Sequence, residues 1–347
     1  MFSFGKDIGI DLGTATVLIY VKGKGIVLRE PSGVAVDQET GRILAVGYEA
    51  KNMVGRTPGS VVSVRPLRNG VIADYSMTEA MLRYFMSKVN TGLSRYFRNR
   101  VMICVPSGAT DVERRAVLEA ALEVGAREAY LIEEPMAAAI GAGLNVEEAR
   151  GKMVLDIGGG TTDIAVISLG GLVVSKSLRV GGDRFDERIS RYLRKQYNVA
   201  IGEQMAENLK IMAGSCLPDG EQITMELRGQ DIRTGLPRSL EVSSRSVCSA
   251  IADDVNEIIE GVVQVLSDTP PELSADIIDQ GIVLTGGGAQ LRGLAELISR
   301  KTGIRCTVAE DPTECVALGT GKALANLNHL LANSQGILYS SRKGRRR

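Results

Sequence analysis

The sequence predicts an α/β protein built from two similar halves. Two observations carry this reading. Apolar strand-like runs alternate with capped helical stretches along most of the chain, the pattern of a layered α/β sheet. In addition, one segment of the form strand, Asp, Gly, hydroxyl, strand occurs twice. When Asp11 is set on Asp156, Gly13 falls on Gly158, Thr16 on Thr161, Ile19 on Ile164, Val21 on Val166 and Gly25 on Gly170. Two such copies, 145 residues apart, imply half-molecules that close on one ligand from opposite sides.

The turns suggest what that ligand is. In Val154-Leu155-Asp156-Ile157-Gly158-Gly159-Gly160-Thr161-Thr162-Asp163 an apolar strand runs into three glycines and two hydroxyls, with an acid on either side. A tight turn that brings backbone amides close to an anion needs residues without Cβ, and hydroxyls add donors. An acid at the strand end beside such a turn can hold magnesium through water while the amides hold nucleotide oxygens. An ordinary glycine-rich hairpin is the plainer reading of either segment alone, and the duplication argues against it.

Composition bounds the rest. With 347 residues, 44% hydrophobic and 24% charged, the chain suits two soluble domains, each with its own core. Lys+Arg and Asp+Glu balance at 41 each, yet five bases crowd into Arg342-Lys343-Gly344-Arg345-Arg346-Arg347, so the remainder has an excess of acids. Such a tail suits an anionic surface, lipid or nucleic acid, and equally a solvated end. Cys104, Cys216, Cys248, Cys306 and Cys315 lack metal spacing and read as reduced structural residues. The single His329 excludes a histidine-cluster metal site and disfavours a Ser-His-Asp triad, so any metal is oxygen-bound. No run is long enough to span a membrane, and the first six residues do not make a signal peptide, which predicts a cytoplasmic body.

In chain order, residues 6–21 read as strand, turn and strand, with a third strand at 26–28. Residues 31–74 turn polar and loop-rich, a small insert with a hairpin at 37–42. Capping boxes are expected at Ser76 with Glu79 and at Thr110 with Glu113, ahead of helices at 80–89 and 114–124. Strands at 101–105 and 129–132 alternate with them. Leu93, Tyr96 and Phe97 stand among arginines in a loop, and with Phe2 and Phe4 they suit a membrane interface; core packing suits the same residues. Glu133-Glu134-Pro135 opens an alanine-rich helix at 136–143, where an acid either caps the helix or, near phosphate, orients or deprotonates water.

Beyond the second glycine turn, helices begin at Gly181-Gly182-Asp183 and Gly202-Glu203, and strands at 222–227 and 239–242 make a second small insert. A core helix spans about 245–266, Pro270-Pro271 ends that region, and Thr285-Gly286-Gly287-Gly288 makes a third strand-to-glycine turn before a helix at 291–301. Gly319-Thr320-Gly321-Lys322-Ala323 is not a Walker A loop, because Val316 stands where glycine is needed and Ala323 where a magnesium-binding hydroxyl is needed.

Together, Asp11-Leu12-Gly13-Thr14, Glu134-Pro135, Asp156 to Thr162 and Thr285 to Gly288 resemble the actin/Hsp70/sugar-kinase ATPase superfamily and, within it, the bacterial-actin MreB family of MreB/Mbl type. Residues 135–141, 235–238 and 269–274 support the resemblance, which covers nearly the whole chain. It implies an actin-like fold of two ribonuclease-H-like halves, each with a small insert, and a nucleotide in the central cleft. The implied subdomains are 1–32, 75–145 and 316–347 (IA), 33–74 (IB), 146–181 and 245–315 (IIA) and 182–244 (IIB).

By the same resemblance, Thr14, Ala15, Thr16, Gly158, Gly159 and Gly160 hold phosphates, and Asp11 and Asp156 position Mg2+. Glu134 activates water with Thr161 assisting, while Glu207, Asn208, Leu209, Lys210, Gly286, Gly287, Gly288 and Ala289 contact the nucleoside. Thr16 stands where the family usually has asparagine, and Gln204-Met205 where it usually has arginine and threonine. The implied protein is an ATP-dependent filament on the inner face of the cytoplasmic membrane, a weak ATPase that partners itself and the cell-wall elongation machinery, with no nucleic acid. A chaperone of Hsp70 type would need a further substrate-binding domain, and a small-molecule kinase would need a base beyond the acids already assigned.

Overall fold

The first duplicated segment folds as an antiparallel meander of β1 (Asp7–Leu12), β2 (Thr16–Val21) and β3 (Gly25–Pro31). Its alternate apolar residues, among them Ile8, Ile10, Val17 and Ile19, are buried. The computed structural model describes residues 5–56, 59–90 and 99–327, and the backbone of a last strand, Tyr339–Arg342. Phe2, Phe4, Leu93, Tyr96, Phe97 and His329 lie outside the described residues.

After β3 comes a small sheet of β4 (Val34–Asp37), β5 (Ile43–Val46) and β6 (Val61–Val64) with the short helix α1 (Tyr48–Met53), then the two-residue strands β7 (Leu67–Arg68) and β8 (Val71–Ile72). Helix α2 (Tyr75–Val89) leads back to the main sheet, where β9 (Arg100–Val105), α3 (Asp111–Glu123) and β10 (Glu128–Glu133) add two strands parallel to β1. The Thr110–Glu113 capping box forms, with the Glu113 amide donating to Thr110 Oγ1 at 3.3 Å. The expected box at Ser76 does not form. Asp74, in extended backbone two residues earlier, caps α2 by accepting the Met77 amide at 2.9 Å, and Glu79 pairs instead with Arg83.

Helix α4 (Glu134–Gly141) then leads into the second meander, β11 (Lys152–Ile157), β12 (Thr162–Ser168) and β13 (Gly171–Leu178). Helix α5 (Gly182–Tyr197), β14 (Val199–Ala200), α6 (Glu203–Ala213), β15 (Thr224–Asp231) and β16 (Pro237–Ser243) carry the second small sheet. The core helix α7 (Ser244–Asp268) and α8 (Pro271–Gln280) lead to β17 (Ile282–Thr285), α9 (Leu294–Thr302), β18 (Cys306–Val308), α10 (Cys315–Ala325) and β19 (Tyr339–Arg342), which pairs with β10. The two main sheets have matching orders, β3-β2-β1-β9-β10 and β13-β12-β11-β17-β18. In each, the first two neighbours are antiparallel and the last two parallel. The repeat in sequence is therefore a repeat of topology.

Two elements differ from expectation. Pro270-Pro271 does not simply break the chain, because Pro271 begins α8, where its missing amide would have had no helical partner. The helix expected from 291 starts at Leu294, after Gly287–Gln290 makes a 3-10 turn and Gly293 adopts a left-handed φ of 78°.

A shared core joins the halves. Met102, Tyr130 and Ile132 of the first sheet pack with Val154, Ala165 and Ile167 of the second, around the alanines of α4 and around Val316 and Leu324 of α10. A Cβ added to Gly141 would overlap the Cys315 carbonyl, and one on Gly319 the Ala137 carbonyl, so α4 and α10 cross almost backbone to backbone. Residues 319–323 lie inside α10, consistent with their rejection as a phosphate loop.

Candidate functional site

The two glycine turns meet face to face between the halves. A Cβ on Gly159 would come within 2.6 Å of Ala15 Cβ, and one on Gly160 within 2.5 Å of Thr14 Oγ1, so the second turn needs glycine where Thr14 and Ala15 of the first approach it. Each turn is also held from behind. Ser32 Oγ donates to the Gly13 carbonyl at 2.5 Å, and the amides of Gly182 and Asp183 donate to the carbonyls of Gly158 and Gly159 at 3.0 and 2.8 Å. Gly70, at a φ of 76° between β7 and β8, donates its amide to Thr14 Oγ1 at 2.8 Å, and a Cβ added there would come within 3.2 Å of Thr161.

These turns wall a cleft of about 390 Å³, ordinary for a small-molecule site. Among the residues expected from sequence, it gathers Asp11, Glu134, Asp156 and Thr161, Thr14 to Thr16, Gly158 to Gly160, Glu207, Lys210 and Gly286 to Gly288. It does not gather Asn208, Leu209 or Ala289. Leu209 and Ala289 are buried in the apolar core of the second half, and Asn208 lies exposed on another face of α6. Lys210 lines the cleft but is already engaged, its Nζ donating to Asp186 at 2.8 Å and to the Gly182 carbonyl at 3.0 Å. Gly286 likewise donates its amide to the Pro312 carbonyl at 2.8 Å.

Other lining residues escaped the sequence reading, among them Arg29, Gly70, Asp183, Arg292 and Thr313. Only Asp183 had a local signal, the Gly-Gly-Asp start of α5; the others arrive from strands and loops distant in sequence. At the mouth, Lys51 of α1 pairs with Glu207 of α6 at 2.7 Å, and Gln204 donates to the Lys51 carbonyl at 2.6 Å. The unusual glutamine thus ties the first insert to the second half, while Met205 packs against the core.

The cleft floor is acidic. Burial pushes Asp11 up to about 6, against a hydrogen bond from Cys104. Burial also pushes Asp156 up to about 7, with Asp11 and Asp163 adding repulsion and a Thr285 hydrogen bond opposing it. Glu134, on the first turn of α4, is raised well above the usual carboxylate range by burial and then by the charges of Asp163, Asp156 and Asp11. Asp163 is raised by burial, though the Ser107 amide and hydroxyl donate to its Oδ1 at 2.9 and 2.8 Å. Crowded, desolvated carboxylates of this kind take up protons or a cation. The donors are all oxygen, which suits a hard divalent ion. Among the described residues no three acids, cysteines or histidines converge to hold a metal by themselves, so such an ion would need further oxygens from water or ligand.

Two duplicated sheets closing a glycine-lined, acid-floored cleft define an actin-like protein. The crystal structure of MreB5 of Spiroplasma citri bound to ADP matches with a TM-score of 0.89 at 38% identity, covering 95% of this chain and 99% of that one. A MamK double helical filament matches in fold, with a TM-score of 0.78 at 24% identity over 92% of this chain and 98% of that one. The family model described as MreB/Mbl protein matches residues 5–332. The cell shape-determining protein Mbl of Bacillus subtilis (strain 168) is 52% identical over 328 residues, 94% of this chain and 98% of that protein. The cell shape-determining protein MreB of Escherichia coli (strain K12) is 52% identical over 325 residues, 92% and 94%. The chain belongs to the MreB/Mbl family.

Proposed function

We propose that this chain is an ATP-dependent, membrane-associated filament protein that scaffolds cell-wall synthesis and maintains rod shape, with slow ATP hydrolysis coupled to polymerisation. One observation carries the nucleotide part: two glycine turns, one from each half, meet at a cleft lined by the carboxylates of Asp11, Glu134 and Asp156. The cell shape-determining role named for the Bacillus and Escherichia relatives supports the cell-shape reading, and the ADP-bound Spiroplasma structure supports the ligand class.

On this reading, Mg2+·ATP supplies the anhydride that is cleaved and the metal charge that offsets charge developing on phosphate. Asp11 and Asp156 would hold the ion, their carboxylate oxygens supplying negative charge to it. The turns at 14–16 and 158–160 hold phosphate oxygens from two sides. The Glu134 carboxylate would take the proton from the attacking water, and the Thr161 hydroxyl would help orient that water. Glu207 and Gly286 to Gly288 border the nucleoside. The subdomain division anticipated from sequence lets the two halves close as units, linking nucleotide state to assembly. The protein works at the inner face of the membrane, where Phe2, Phe4, Leu93, Tyr96 and Phe97 provide apolar tips; among the described residues no helix is long and apolar enough to cross it.

Sedimentation with Mg2+·ATP, with and without anionic liposomes, tests this reading. Pelleting that needs nucleotide and brings liposomes down is the expected result. A strictly monomeric, lipid-indifferent chain would overturn it, and an unchanged liposome pellet after Leu93→Ser with Phe97→Ser would reject that segment as the anchor.

A further inference from the structure

We propose that Cys104 and Thr285 are matched positioning residues, one in each half, that orient the carboxylates of Asp11 and Asp156 toward a shared divalent cation. This rests on reading the cleft as a magnesium–nucleotide site. Thr285 Oγ1 donates to Asp156 Oδ1 at 2.7 Å, and Cys104 Sγ donates to Asp11 Oδ1 at 3.4 Å.

The donors occupy equivalent places in the duplicated fold. In the second half β11 runs parallel to β17 with Leu155 opposite Leu284 and Asp156 opposite Thr285. In the first half β1 runs parallel to β9 with Ile10 opposite Ile103, and one further step brings Asp11 beside Cys104. Each aspartate is therefore gripped from the strand that pairs with its own on the side away from its hairpin. In-register parallel neighbours point to the same face, which is why the grip is reproduced.

Packing alone does not ask for these residue types. Thr285 is fully buried at the end of Ile282-Val283-Leu284, where valine would fill the same space, and a hydroxyl buried there needs an acceptor. Cys104 is buried in Val101-Met102-Ile103-Cys104-Val105, where its thiol likewise has the carboxylate as acceptor. Holding one oxygen restricts rotation of the carboxylate and leaves the other for the cleft that both aspartates line. The grips are unequal, since a thiol is a weaker donor than a hydroxyl and its contact is longer. The second half thus presents its aspartate more firmly than the first.

The test uses the full chain and a fluorescent ATP analogue, titrated with Mg2+ and, separately, bound in EDTA, with thermal melting alongside. Thr285→Val should raise the half-saturating Mg2+ about tenfold, the lower end for removing the partner of a metal-facing group, with EDTA binding unchanged. Thr285→Ser should restore the wild-type requirement. Cys104→Ala should raise it about twofold to threefold, the smaller effect of a weaker donor, while Cys104→Ser matches or betters wild type. An unchanged Mg2+ requirement in Thr285→Val, or a loss that Thr285→Ser does not restore, overturns the proposal. Should Thr285→Val fail to fold, a Cys104→Ala requirement equal to wild type overturns it. Wild-type protein that binds no nucleotide, or binds it without regard to Mg2+, overturns the underlying site reading as well.

Discussion

The guanidinium of Arg65, just past β6 in the first half, lies 2.7 Å from the carboxylate of Asp183 on the first turn of α5 in the second half. With Lys51–Glu207 beside it, this pair spans the mouth of the cleft. Both partners are partly exposed, so the bridge contributes on the order of 0–1 kcal/mol and acts on opening more than on folding. Arg65→Ala should release bound nucleotide about twofold to fivefold faster with little change in melting temperature, as measured by stopped-flow displacement. Wild type at about 0.5 M salt should approach the variant, since such pairs are screened. Equal release rates for the two proteins at low salt would show that the bridge does not latch the cleft.

The acidic floor makes stability of the nucleotide-free, metal-free chain depend on pH. Asp156 rises from 3.8 to about 7 and Asp11 to about 6 on folding. Between those values the native state binds more protons than the unfolded one, so stability is fully present at acid pH below the unfolded value and is lost as pH rises through about 7. In EDTA the melting temperature should fall by several degrees, roughly 3 to 6 °C, from pH 5 to pH 8. Asp156→Asn should flatten that slope and melt higher than wild type at pH 8. A wild-type melting temperature that rises over this interval would contradict the burial of these acids.

The features that sequence makes legible are the ones made locally. Asp11 with Gly13 and Asp156 with Gly158 can be read because a strand, an acid and a turn are consecutive residues, and their spacing reveals the duplication. The Thr110–Glu113 box is legible for the same reason. Asp74 takes the cap expected of Ser76 because helix starts compete over a residue or two, and tertiary contacts choose among them. Gly70, Arg29 and Thr313 reach the cleft through chain reversals, so nothing beside them in sequence announces the role. Leu209 and Ala289 show the converse: they neighbour lining residues, but the periodicity of α6 and the 3-10 turn at 287–290 point them into the core.

The crossing of α4 and α10 is set by absent side chains. Gly319→Ala would place a methyl on the Ala137 carbonyl, and Gly141→Ala one on the Cys315 carbonyl. Backbone cannot move aside as a flexible side chain can, so the overpacking cost, about 1–3 kcal/mol, should exceed the gain of up to about 1 kcal/mol from a better helix former. Each variant should unfold at lower denaturant with an unchanged slope. Because this core joins the two halves, nucleotide affinity should fall along with stability. A variant as stable as wild type would mean the helices can separate without loss.

On the proposed reading, Glu134 is the group on which hydrolysis would turn. It sits at the first turn of α4, where Pro135 fixes the helix entry, and burial, followed by the charges of Asp163, Asp156 and Asp11, raises its proton affinity. A neutral glutamine keeps the shape and removes the proton acceptor. Glu134→Gln should therefore bind Mg2+·ATP at least as tightly as wild type, because one of four repelling acids is gone. Phosphate release should drop by about 100-fold or more, the scale of losing a positioned base. Glu134→Ala should lose release to the same extent with binding retained. If assembly needs only the bound triphosphate, both variants should still pellet with nucleotide and should disassemble more slowly than wild type after excess nucleotide is removed. Binding is followed with a fluorescent analogue and release with a coupled phosphate assay. Undiminished release from either variant would mean that another group handles the water, with Asp163 next in line because its raised carboxyl is buried beside the same site.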